Sequence, residues 1–129
     1  MAAKRKGLYE VRTRVTCNLP VNNAQEEKAF LDVLELLNDL RHQEIGVSGY
    51  THSESRIAVF HGYWWREGAD EPVHDQLVLC TVDYRLAFGR PELSLQVKKL
   101  KQTIRNCYRS YGSPQDEVWV VAHPIIRQD

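Results

Sequence analysis

The sequence predicts an α+β domain with its elements in the order β-α-β-β-α-β, and three observations carry that expectation. Residues 8–17 alternate with period two. Residues 24–43 and 91–112 carry apolar side chains at spacings of three and four. Between these helical stretches stand two runs rich in aromatic and β-branched residues, 56–66 and 76–84, separated by a turn containing glycine and proline. A chain of 129 residues fits a single domain spanning 1–129, and 43% hydrophobic with 26% charged residues is a mixture that buries a core, which excludes a disordered or fibrous chain.

Each element has a local reason. In 8–17, Tyr9, Val11, Thr13, Val15 and Cys17 share one face and Glu10, Arg12 and Arg14 the other, the alternation of a half-buried strand. Residues 18–23 read as a loop. Asn23, with Glu26 three positions on, resembles a capping box with Asn in place of Ser or Thr, and it opens a helix whose inward stripe is Phe30, Val33, Leu34, Leu37 and Leu40. Gly46 and Gly49 punctuate the next stretch, after which a strand is expected over about 56–66, joined through a bend to a shorter piece at 47–52. Residues 67–72 form a turn into an antiparallel partner over 76–84, whose near-continuous apolar run points to burial on both faces. Pro91 suits the first turn of a second helix, with Leu93, Val97, Leu100, Ile104, Cys107 or Tyr108, and Tyr111 inward and Gly112 at its end. A last strand is expected over 117–123, followed by a tail, and residues 1–7 are expected to form a disordered basic tail.

This order is that of the ferredoxin-like split arrangement, a four-stranded antiparallel sheet with two helices on one face. With the Gly-x-Ser-Gly-Tyr turn of Gly46 to Tyr50 followed by Gly62-Tyr63-Trp64, the chain resembles small uncharacterised bacterial ferredoxin-like α+β proteins. The resemblance implies a fold and no catalytic residue, because the superfold hosts many unrelated functions.

Charge and cysteine content narrow the function classes. Lys+Arg 17 against Asp+Glu 17 leaves no net field to draw the chain to nucleic acid or an anionic membrane. No apolar run is long enough for a membrane span or a secretory signal, so a cytoplasmic protein is expected. Cys17, Cys80 and Cys107 are widely spaced and sit among apolar neighbours, which reads as three reduced thiols. The first helix carries five acids (Glu26, Glu27, Asp32, Glu35, Asp39) against Lys28 and Arg41, and the second carries five bases (Lys98, Lys99, Lys101, Arg105, Arg109) against Glu92. Two such helices packed side by side complement each other, and no aromatic residues are interleaved with the bases for stacking, so nucleic-acid binding through the basic helix is the weakest reading.

The candidate site residues cluster on the central hairpin. His61-Gly62-Tyr63-Trp64-Trp65 is the most unusual local composition, with His52 and His74 close by and the two hairpin acids Asp75 and Asp83. Histidine paired with a carboxylate can serve as general base or metal ligand, yet no spacing here enforces convergence, so no metal and no cofactor are expected. Alternation places Trp64 on one face and Tyr63 and Trp65 on the other, and Trp119 and Val121 alternate with Val118, Val120 and Ala122 before His123. Apolar side chains thus occupy both sheet faces, and the open face calls for a second subunit or an occupied cleft. The leading reading is a small interaction or ligand-binding module that forms a homo-oligomer, a dimer first, through its open sheet face. A small enzyme using the hairpin His and Asp residues is the alternative.

Overall fold

The computed structural model describes residues 9–40, 47–52, 60–115 and 118–128. Its elements are β1 (Tyr9–Pro20), α1 (Ala24–Leu40), β2 (Val47–His52), β3 (Phe60–Trp64), β4 (Val73–Tyr84), α2 (Pro91–Ser110) and β5 (Val120–Gln128). All strand pairings are antiparallel, in the order β2-β4-β1-β5, with β3 also paired to β4. Among the described residues no helix is long and apolar enough to cross a membrane.

Among the described residues five strands stand where four were expected, and the register gives the reason. Leu77 of β4 has Pro20 on one side and Phe60 on the other, while Cys80 has Cys17 on one side and His52 on the other. Strands β2 and β3 therefore lie end to end along a single edge of β4. The chain spends residues 53–59 between two pieces whose partners on β4 are separated by only Val78 and Leu79, so one uninterrupted strand in register is impossible. The piece expected at 47–52 is β2, and the described part of the strand expected at 56–66 is β3.

Two further boundaries move outward. The expected loop at 18–23 begins later, because Leu19 is fully buried, Asn18 donates its backbone N–H to the Trp119 carbonyl at 3.1 Å, and the strand runs to Pro20. The last strand runs to Gln128, so most of the expected tail is sheet. Pro124 does not end it because β5 is the outer strand, paired only to β1, and a missing N–H is tolerated on an outer edge. The expected positions 1–8, 41–43, 46, 56–59 and 117 lie outside the described residues.

The core lies between the helices and one sheet face. Thr13, Val15, Cys17 and Leu19 of β1 and Val78, Cys80, Val82 and Tyr84 of β4 point inward against Phe30, Val33, Leu37, Leu100, Ile104 and Tyr108. Burial of β4 is one-sided over most of its length: Leu79, Thr81 and Asp83 are only half-buried, and Leu77 alone is buried on the opposite face. The N-terminus of α1 is capped as its sequence implies, with Asn23 Oδ1 accepting the Glu26 N–H at 2.9 Å. After α2, Gly112 adopts φ +74 and lets Ser113 N–H return to the Tyr108 carbonyl at 3.0 Å. The oppositely charged helices form no ion pair with each other among the described residues; their polar link is the Tyr111 hydroxyl donating to Asp32 at 2.8 Å.

Candidate functional site

The open sheet face is apolar at one end and charged at the other. At the charged end Arg14 of β1 lies opposite Asp83 of β4 and makes a two-pronged contact, with Nε to Oδ1 at 2.7 Å and the second nitrogen to Oδ2 at 3.1 Å. Asp83 and His123 both belong to this end, since Arg14 has Asp83 on one flank and His123 on the other.

At the apolar end a cleft of about 680 Å³, within the usual range for small-molecule sites, takes in open-face residues of β3 and β4 together with Tyr63 and the core residues Ile104 and Val118. Trp64, Trp65 and Trp119 contribute its aromatic surface, Asp75, Glu67 and Arg66 its charges, and Pro114 and Gln115 its far side. The local fold explains how these converge. Antiparallel pairing sets Gly62 directly opposite Asp75 and Trp64 opposite Val73, all on the open face. A Cβ at Gly62 would lie 2.7 Å from Leu77 Cδ1 and 3.1 Å from Trp64 Cζ3, so only a glycine lets the indole of Trp64 fold back beside Asp75. Trp119 reaches the cleft from the segment leading into β5, held by its carbonyl's bond from Asn18.

Asp75 is fixed from behind. The Asn22 side-chain amide donates to Asp75 Oδ1 at 2.6 Å and to Glu26 Oε1 at 2.9 Å, while its oxygen accepts the Gln76 N–H at 2.7 Å. Asn22 thereby takes the place of a β-strand neighbour where β4 outruns β1. Glu26 is buried, accepts the Asn22 backbone N–H at 2.9 Å and receives the Ser113 hydroxyl at 2.6 Å, which ties the segment bearing Pro114 and Gln115 to the start of α1. Beneath the cleft the buried Tyr108 hydroxyl donates to the Pro20 carbonyl at 2.6 Å, and burial, reinforced by Glu26, pushes its pKa up.

Of the residues singled out from sequence, Tyr63, Trp64, Trp65, Asp75 and Trp119 line this one cleft. His52, His61, Asp83 and His123 do not. His52 projects on the helix side of the sheet, edge-on to Phe30 at 5.6 Å and stacked on Tyr50 at 6.3 Å. His61 and His74 also face the helix side, with His61 Nδ1 2.7 Å from His74 Nε2 and the His74 ring stacked on Tyr63 at 4.7 Å. A gathering of the histidines with Asp75 on the open face is therefore ruled out by strand parity: His61 and His74 sit one residue out of phase with it. Among the described residues no three His, Cys, Asp or Glu side chains are grouped to hold a metal ion. Asn22, which orients the site, is not among the residues that the sequence pattern singles out; Glu26, expected there as the capping-box partner of Asn23, accepts from Asn22 instead.

The chemistry open to the cleft is recognition by aromatic surface and fixed carboxylate. Its described lining holds no cysteine, serine or histidine; Asp75, Glu67 and the Tyr63 phenol are the lining groups able to move a proton.

No family model matches the chain, and a search of curated proteins returns no match. Among solved structures the chain is similar to a phage SAM lyase in its apo state, at 11% identity over 100% of this chain and 97% of that one, with a TM-score of 0.49. It is also similar to a conserved protein from Methanosarcina mazei Go1, at 11% identity over 88% and 91% of the two chains and a TM-score of 0.44. A dimeric ferredoxin-like protein from an uncultured marine organism matches at 13% identity over 93% and 96%, with a TM-score of 0.41. The likeness to ferredoxin-like α+β proteins is a weak one, of fold alone.

Proposed function

We propose that this chain is a small-ligand-binding module whose site is the cleft between Trp64 and Trp119 at the apolar end of the sheet. One observation carries the reading: a concave, partly apolar space of about 680 Å³ in which a carboxylate is held in a fixed orientation by Asn22 beside an indole. Sites of this kind gain affinity from apolar walls and direction from a few fixed polar groups. A ligand-observed NMR screen of small neutral fragments tests it. Fragments that bind should lose their signal change in Trp64→Ala and keep it in His123→Ala; hits indifferent to Trp64→Ala would refute the cleft as the site.

A second reading, compatible with the first, is self-association through the same face. Phe60, Trp119 and Val121 remain about half exposed there, in a stretch of sheet no helix covers. Sedimentation at micromolar concentration should give a mass above 15.0 kDa, and Trp119→Asp should lower it by burying an unpaired charge. A monomer for the unmutated chain refutes this reading and leaves the cleft untouched.

A further inference from the structure

Resting on the cleft reading, we infer that the ligand is a small organic cation of the quaternary ammonium type, recognised by indole faces and the Asp75 carboxylate together. Three features of the cleft point the same way.

The first is charge. Among the charged groups lining the cleft, Asp75 and Glu67 outnumber Arg66, and neither acid forms an ion pair among the described residues. Asp75 receives its hydrogen bond from the neutral Asn22 amide, so its negative charge has no counter-ion among the described residues. A partly buried carboxylate without a cation is costly, and a ligand that brings the positive charge relieves that cost.

The second is the kind of surface beside that charge. Trp64, Trp65 and Trp119 line one cleft, and tryptophan offers the most negative ring face of the aromatic residues. An alkylated ammonium has no N–H to satisfy; its charge is spread over methyl groups that lose little on leaving water and pack well against indole.

The third is position. Gly62 stands opposite Asp75, and the Trp64 ring occupies the space that a side chain at Gly62 would take. The Trp64 indole and the carboxylate therefore share one patch of sheet. A cation seated there meets both, whereas an anion would face two acids and find only Arg66 in its favour.

Three isosteric probes separate charge from shape: choline, 3,3-dimethylbutan-1-ol and 3,3-dimethylbutanoate, titrated calorimetrically into the full chain. Choline should bind tightest, about tenfold above the neutral alcohol, with the carboxylate weakest. Asp75→Asn, which keeps an oxygen for Asn22, should erase choline's advantage while leaving the alcohol within about twofold. Glu67→Gln, on an exposed turn, should reduce the advantage without any risk to folding. An alcohol that binds as tightly as choline, or a carboxylate that binds tightest through Arg66, overturns the cation inference and leaves the cleft as a ligand site. No saturable binding of any of the three overturns the cation inference, and the neutral-fragment screen then decides the cleft.

Discussion

Gly62→Ala should destabilise the protein, although the backbone there is open to any residue. Gly62 is absent from the glycines with positive φ, so alanine meets no conformational strain. Replacing glycine then stiffens the unfolded chain, which alone would add about 0.4–1 kcal/mol of stability. Against this stands the new methyl, placed 2.7 Å from Leu77 Cδ1 and 3.1 Å from Trp64 Cζ3. Leu77 is 6% exposed and cannot swing freely, so leucine or indole must shift, and overpacking of this kind costs about 1–3 kcal/mol. The balance is a net loss of about 1 kcal/mol. Gly49→Ala is the internal control: nothing lies within 4 Å of its added Cβ, its φ is not positive, and the entropic gain should appear unopposed. Urea denaturation followed by circular dichroism reads both variants, and tryptophan emission reports whether the Trp64 ring has moved. A Gly62→Ala protein as stable as Gly49→Ala, with unchanged emission, would refute the account of how Gly62 seats the indole.

Three other perturbations have defined outcomes. Tyr108→Phe removes the buried hydroxyl from the Pro20 carbonyl and should cost about 1–3 kcal/mol in urea denaturation, since that carbonyl is left without its donor. Asp83→Asn should cost less than about 1 kcal/mol, and less again at high salt, because the Arg14 and Asp83 side chains are 41% and 28% exposed and solvent already screens the pair. Burial pushes the Cys17 thiol up and the Cys80 thiol up to about 12 from an ordinary 9.0, and raises the buried Tyr84 and Tyr108 as well. Above pH 9 the unfolded chain therefore loses protons that the native state keeps, so stability should hold a plateau below that pH and fall as pH rises toward 12. Thermal melts across that window measure it; a midpoint that rises with alkalinity would contradict the burial of these groups.

What was legible in the sequence was local. The two helices, their inward stripes and the Asn23 cap follow from spacing of three and four and from one side chain reaching its own backbone, and Phe30, Val33, Leu37, Leu100 and Ile104 are buried accordingly. The opposite facing of Trp64 and Tyr63 was also legible, because alternation needs no knowledge of the partner strand. The broken edge was less so: period two gives a strand its faces and says nothing of how many partner residues it spans.

The sequence by itself determined where the two helices fall among the strand-forming segments, the apolar stripes and the set of aromatic side chains too numerous for one core. Tertiary structure alone decided which of them meet. Register put Gly62 across from Asp75 and so opened a place for the Trp64 ring, while the turn before α1 brought Asn22 alongside β4 to hold that carboxylate. Pairing of β1 with both β4 and β5 carried Trp119 to the same end of the sheet and sent Asp83 and His123 to the other. The physical reason is that strand pairing is a long-range choice. Shifting one strand by a single residue exchanges its two faces, so the same residues would keep their pattern and lose the cleft.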